Sequence, residues 1–410
     1  MPGQKRLALG GIALLCSLFL VRSLHRASEL PPLHNWDMTA YVALAIAYEG
    51  SEPEEVHRRT YEALRAELPP KVFADLTNGG VKRKRFEDPA ALYQHLGFYR
   101  ARIFFTFPVY LLNKLFGVPW TNATYWISRA SWIGLALLMC LWASRSLGPY
   151  WGMPVGTLLA HAPWFVASMG FSSPDLQATL LTCLGIYFLV ELRRDLVGAA
   201  LLTATIGVRP DTVILALVLA AGIWFFDREQ RPSRRFFAIW CGASLAAYFA
   251  VSKYAGAYGW WPLFWISFAQ KEEFPAQIDT SPRWDLYFQV LRMRWEEIPG
   301  HGYYATPRRV TGSTVPLAFA GAVLAAVALI RRSGNPALAR YTALFAAFFV
   351  TYSVRWLLFP QLWDRFFTVA YACVPLILLS IASGVTPSGP PRARFAGAGG
   401  DERRDSPEMD

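Results

Sequence analysis

In "PPLHNWDMTAYVALAIA" an aspartate, Asp37, follows a tryptophan and opens a mostly apolar run, with Tyr41 one helical turn further on. Other ionisable residues also sit beside apolar runs. These are Asp175 in "GFSSPDLQATL", Arg209 and Asp211 in "GVRPDTV", Lys253 in "VSKYAGAYGWW", and Asp364 and Arg365 in "FPQLWDRFF". Charge next to a membrane helix is expensive, so it marks candidate function. A carboxylate can take a proton from an attacking hydroxyl. Arginine and lysine can hold the charge that develops on a phosphate leaving group. Aromatic rings can lie against a sugar or an isoprenoid chain. Sugar transfer from a lipid-linked phosphate donor uses all three, and the sequence contains no phosphate-binding Gly-rich motif for a nucleotide.

Each of these residues also has a plainer role. Asp37 suits the cap of a helix beginning near Met38, and Asp175 suits a first helical turn. Arg209 wants an anion, either a protein carboxylate or a phosphate. Lys253 can snorkel. Asp364 and Arg365 can pair with each other. The basic run 82–85 in "VKRKRF" reads as a solvated or headgroup-binding face, and "YGWWPLFW" (258–265) as an interfacial anchor. The sequon Asn122-Ala123-Thr124 abuts an apolar run and carries little weight.

The elements that must position these groups are membrane helices. Hydrophobic residues make up 54% of the 410-residue chain and charged residues only 17%, below the roughly 25% charged of a soluble domain. Apolar runs long enough to span fall at 7–24, 122–144, 149–170, 175–192, 235–252, 314–330, 340–358 and 366–384. The stretch 196–227 reads as two short helices with a break at "GVRPD". The total is about ten spans. A net charge of +11 would suggest nucleic acid in a soluble protein. Here the basic residues flank the spans, which is the pattern that orients helices with Arg and Lys on the cytoplasmic side.

That rule sets the expected parity, with 103–117 as an ordinary span in a differently counted chain the alternative. With both termini cytoplasmic, Arg145, Arg193, Arg194, Arg228 and Arg331 lie inside. Counting "IFFTFPVYLLNKLFG" (103–117) as a span would invert them, so this run is expected to be interfacial or half-inserted, broken near Pro108. The first helix is expected to be an uncleaved anchor rather than a signal peptide. The expected organisation is a polytopic domain over 1–385 with external segments at 25–121 and 253–313, then a disordered cytoplasmic tail over 386–410. The candidate residues then share the external side, as do five of the six histidines, His25, His34, His57, His95 and His301. The five cysteines lie in apolar runs without metal or disulfide spacing.

The layout over residues 7–384 resembles the GT-C superfamily of polytopic membrane glycosyltransferases, which includes the protein O-mannosyltransferases and the bacterial aminoarabinose transferases. The motifs are an acid near the start of the first external loop with a Tyr soon after ("WDMTAY"), and a helix along the external surface ("FYRARIFFTFPVYLLNKLFG"). They continue with a second acid after the third span (Asp175), a polar break between short helices ("GVRPD"), and "WDRFFTVAYACVP" before the last helix. There are departures: Met38, not a second acid, follows Asp37, and Pro174 precedes Asp175 rather than following it. The residues after the last span form a short polar tail, not a large domain.

The resemblance implies an all-α, GT-C-like membrane fold with juxtamembrane helices in the first loop. It implies a polyprenyl-phosphate sugar donor, a glycan, lipid or protein acceptor, and catalysis on the periplasmic face of a bacterial inner membrane in cell-envelope synthesis. Asp37 and Asp175 would be catalytic, with Asp37 the base. Arg100, Arg102, Arg209, Lys253 and Arg365 would hold the donor phosphate, and Tyr41, His95, Asp211 and Asp364 would line the substrate pocket. No cofactor beyond the lipid-linked sugar is called for, and a divalent metal is left open. Two other classes compete: a transporter or flippase of a lipid-linked glycan, which would need polar residues through mid-span, and a non-catalytic partner in an envelope complex.

Overall fold

A computed structural model of the protein describes residues 2–29, 35–228, 232–256, 258–269, 281–297, 338–360 and 367–383. Every regular element among them is a helix. Among the described residues four helical stretches are long and apolar enough to cross a membrane: Leu7–His25, Trp120–Leu147, Arg234–Tyr254 and Ala339–Leu358. Length and composition thus mark a membrane protein. The expected span at 314–330 and the tail after 386 lie outside the described residues, as do Asp364 and Arg365.

Helix α1 (Pro2–Glu29) leaves Leu14, Leu15, Leu18 and Phe19 exposed, a surface suited to lipid rather than water. Near its end Ser23 Oγ lies 2.5 Å from His161 Nε2. The first loop folds into six helices: α2 (Asp37–Ala47), α3 (Pro53–Glu67), α4 (Pro70–Thr77), α5 (Gly80–Glu87), α6 (Pro89–Leu96) and α7 (Ile103–Phe116). Proline at the first position of α3, α4 and α6 sets φ without losing a needed N–H. Met38, Tyr41, Ile46, Leu64, Leu92 and Phe105 form the core of this group. At fourteen residues α7 is about 21 Å long, short of a 30 Å hydrocarbon core. Lys114 near its end pairs with Glu49 at 2.6 Å.

Helix α8 (Trp120–Leu147) carries the chain away from this group. Gly148, at φ +73°, turns it into α9 (Pro149–Ala160). The two pack closely because Gly152 and Gly156 face α8: a Cβ on either would come within 2.1 and 2.4 Å of the Ser144 and Cys140 Cα atoms. Such small-xxx-small contacts let membrane helices approach backbone to backbone. The expected single span 149–170 is broken: Pro163 ends α9 and opens α10 (Pro163–Met169).

Helix α11 (Asp175–Ile186) runs on into a π-helical turn at Tyr187–Glu191. The break at 207–211 separates α12 (Asp195–Thr205) from α13 (Thr212–Phe226), as the sequence suggests. After α14 (Arg234–Tyr254), the Trp-rich run forms α15 (Trp260–Phe264), which packs with α16 (Trp284–Glu297) rather than standing as a bare anchor. Both α15 and α16 reach the end of α17 (Ala339–Leu358): Trp260 Nε1 donates to Leu358 O at 2.5 Å, and Tyr287 Oη to Leu357 O at 2.9 Å. Helix α18 (Thr368–Ala382) closes the described chain. Trp132, Trp142, Leu219, Phe345 and Phe348 are at the centre of the bundle core.

Candidate functional site

Helices α13 and α17 run antiparallel with an ion pair at each end. Arg340 at the start of α17 binds Asp227 at the end of α13 (2.6 Å), and Arg355 near the end of α17 binds Asp211 at the start of α13 (2.9 Å). The sixteen helical steps from Asp211 to Asp227 span about 24 Å. The Arg355 end is also the end at which α2–α7, α15 and α16 gather. Tyr258 there packs on Phe98, with ring centroids 5.0 Å apart.

At that end Arg209 bonds Asp175, the first residue of α11, and Asp211 at 3.2 Å. Arg355 adds its bond to Asp211. These side chains line a cavity of about 40 Å³ together with Thr182, Thr351 and Tyr352, room for about two or three waters. The buried Thr182 and Thr351 hydroxyls make no hydrogen bond within the protein.

A second polar cluster lies in the first-loop helices. Asp37 is the first residue of α2 and is buried. It does not act as the cap: Asn35 Oδ1 accepts the Met38 N–H at 3.2 Å. The Asp37 carboxylate instead accepts the Tyr99 hydroxyl at 2.6 Å. Burial, reinforced by Asp37, pushes the Tyr99 phenol well up, so it stays protonated as a donor. Arg102 donates to the Tyr41 hydroxyl and stacks its guanidinium over the Tyr99 and Tyr41 rings, at 4.9 and 5.4 Å.

Arg102 joins the two clusters. It interacts electrostatically with both Asp37 and Asp175, and with Arg209 and Asp211 on the cavity side. The backbone places it there. The Phe104 N–H donates to Gly207 O at 3.0 Å, and Gln177 Nε2 donates to Phe104 O at 2.9 Å. The start of α7 is thereby pinned to the α12–α13 break and to the first turn of α11. Gly207 permits this contact, since a Cβ there would sit 2.7 Å from Phe104 Cδ2.

The sequence candidates divide. Asp175, Arg209 and Asp211 line the cavity, while Asp37 and Arg102 stand beside it and do not. Asp175 is an ion-pair partner of Arg209. Tyr41 is fully buried and holds Arg102 rather than lining the pocket. His95 is buried against Trp36 and Tyr99, with ring centroids at 5.5 and 5.2 Å, and burial with Arg85 nearby keeps its pKa well below the ordinary value. Arg100 stacks on Tyr93 at 4.2 Å, away from the cavity. Lys253 is exposed at the end of α14 and does not line it either. The basic run is not uniformly solvated, because Arg85 is buried.

Two participants escape a reading by residue type alone. Arg355 interrupts the apolar run "TYSVRWLL", and an arginine inside a spanning helix is itself a functional signal. Tyr99 lies just before the two cation candidates in "FYRAR" and has no charge to betray it. Among the described residues, no three His, Cys, Asp or Glu side chains converge to hold a metal ion. Compared with known proteins, the chain matches no family model, no curated sequence and no solved structure.

Proposed function

We propose that the protein is a membrane glycosyltransferase that moves a sugar from a polyprenyl-phosphate donor to an acceptor hydroxyl. Asp37 is the general base, and Arg102, Arg209 and Arg355 face the donor phosphate. The observation that supports this is the position of Arg102 between Asp37 and the Asp175–Arg209 pair. The base for the incoming hydroxyl and the cations for the departing phosphate thus belong to one interacting group, the proximity that a displacement uses.

In that step the acceptor oxygen attacks the anomeric carbon and its proton passes to Asp37. The bond from that carbon to the phosphate oxygen breaks, and polyprenyl phosphate leaves with the electron pair. Its charge is taken up by the arginines. Tyr99 orients the base by hydrogen bond. The cavity is smaller than a sugar ring, so donor entry exchanges the Arg209–Asp175 bond for an Arg209–phosphate bond. The roughly ten-span, GT-C-like topology and a periplasmic site in a bacterial inner membrane belong to the same proposal.

Purified protein in lipid nanodiscs, given a panel of polyprenyl-phosphate sugars, should release polyprenyl phosphate with at least one donor. Release with none of the panel, together with uptake of a lipid-linked glycan across a vesicle membrane, would replace the transferase with a transporter.

A further inference from the structure

Near Asp37 and outside the cavity lining lies a buried cation that the proposed reaction does not use. Arg85, at the end of α5, is 1% exposed. Its Nε donates to Val81 O at 3.2 Å, but Nη1 has no hydrogen-bond partner. His95 is 4% exposed, and its Nε2 also lacks a partner. The two are close enough that Arg85 disfavours the charged imidazole. Both lie against Trp36: the guanidinium lies 5.2 Å from its ring centroid and the imidazole 5.5 Å. The indole covers the cation but takes no N–H from it. Trp36 is itself 41% exposed, so the group borders solvent. Arg85 also interacts electrostatically with Asp37, and Tyr99 packs on His95 while bonding Asp37.

A buried guanidinium with an unmet donor is costly, and an oxyanion offset by two N–H groups is what relieves it. A neutral imidazole can present Nε2–H as the second donor. We propose that Arg85 and His95, under Trp36, bind an oxyanion, a phosphate or carboxylate, carried by the acceptor. The acceptor is then an anionic molecule whose reacting hydroxyl lies toward Asp37. This assignment of the acceptor rests on the glycosyltransferase reading; the oxyanion site itself does not. Trp36 must turn aside for entry, and its ring then lies over the bound group.

The test uses binding, not turnover. Inorganic phosphate is titrated by calorimetry into the full-length protein in phosphatidylcholine nanodiscs, at constant ionic strength. Short-chain phosphatidic acid is titrated separately. Wild type should bind at least one, and Arg85→Gln should weaken that binding at least about tenfold. Arg58→Gln, at an exposed arginine paired only with Glu55 and Glu62 of its own helix, should leave it unchanged. Saturation by inorganic phosphate marks a soluble acceptor; saturation by the lipid alone marks a lipid acceptor.

Because Arg85→Gln could disturb folding, Arg85→Met is compared by thermal unfolding without anion. An unmet buried charge predicts a midpoint equal to or above wild type. Equal binding by wild type and Arg85→Gln, no anion binding in wild type, or a strongly lowered midpoint in Arg85→Met would each overturn the site. None of those outcomes bears on whether donors are turned over.

Discussion

Helices α13 and α17 carry the same device at both ends, an arginine on one helix and an aspartate on the other, yet the two ends differ in kind. At one, Arg340 and Asp227 are each 2% exposed, and Arg340 also bonds Asp195 at 2.5 Å and Leu189 O at 2.6 Å. Glu191 there accepts from Trp142 and Tyr341, at 2.9 and 2.7 Å. At the other end Arg355 and Asp211 are 18% and 36% exposed and border a cavity. One end is sealed and multiply bonded, which is how a frame is built. The other has its charges held at the edge of open space, with Arg102 linking it to a second buried carboxylate. An ion pair alone does not mark a site; the space beside it does.

The largest expected effect lies at the sealed end. Arg340→Met leaves Asp227 with only its 3.2 Å pair to Arg193 and takes Arg340 from Asp195, and should cost about 3–5 kcal/mol in stability, measured as reversible unfolding in mixed micelles. If the loss is small, the sealed end is not the frame. The joint between α7 and the α12–α13 break comes next. Gly207→Ala forces a Cβ against Phe104 and should cost about 1–3 kcal/mol. It should also lower turnover by displacing Arg102; unchanged turnover at reduced stability would separate the joint from the site. Arg355→Met, at the more exposed end, should cost only about 1–2 kcal/mol while lowering turnover far more than Arg340→Met does per unit of folded protein.

The smallest effect is a pH slope. His95 is held neutral by burial and by Arg85, so its pKa in the fold lies below the ordinary 6.5. Below about pH 6.5 the unfolded chain binds a proton that the folded chain does not, so stability falls as pH drops from there. Glu49 acts in a lower window. Its hydrogen bond from Arg59 holds its carboxyl below the ordinary 4.5. The stability it adds is present above that value and is lost as pH falls through the folded pKa. His95→Gln should therefore flatten the unfolding midpoint between about pH 7 and 5 and leave the steeper acid limb in place. An unchanged slope from 7 to 5 would assign it to another group.

Much of the helix layout was legible because apolar run length is a strong signal: α1, α8, α14 and α17 coincide with runs named from the sequence. So was the break at 207–211, since Pro210 and two charges cannot continue a buried helix. The break at Pro163 was hidden inside an apolar stretch whose composition does not change. Within the site, charged residues announced themselves and neutral ones did not. Arg209 and Asp211 were found by type, but Tyr99 is known only once α6 and α7 turn its hydroxyl onto Asp37. Tyr41 and His95 were expected in a pocket from the resemblance and from their place in the first external segment, whereas packing buries both. Arg85 was lost in a basic run whose other members face outward, because nothing in "VKRKRF" says which cation points in.

The central claim is that Asp37 takes the acceptor's proton. The direct measurement is turnover by Asp37→Asn with a donor that wild type uses, each normalised to folded protein by its unfolding midpoint. The amide keeps the size of the side chain and can still accept the Tyr99 hydroxyl, so folding should be preserved, and turnover should fall about 10²–10⁴-fold. Equal turnover by the folded variant would remove Asp37 as the base and the claim with it.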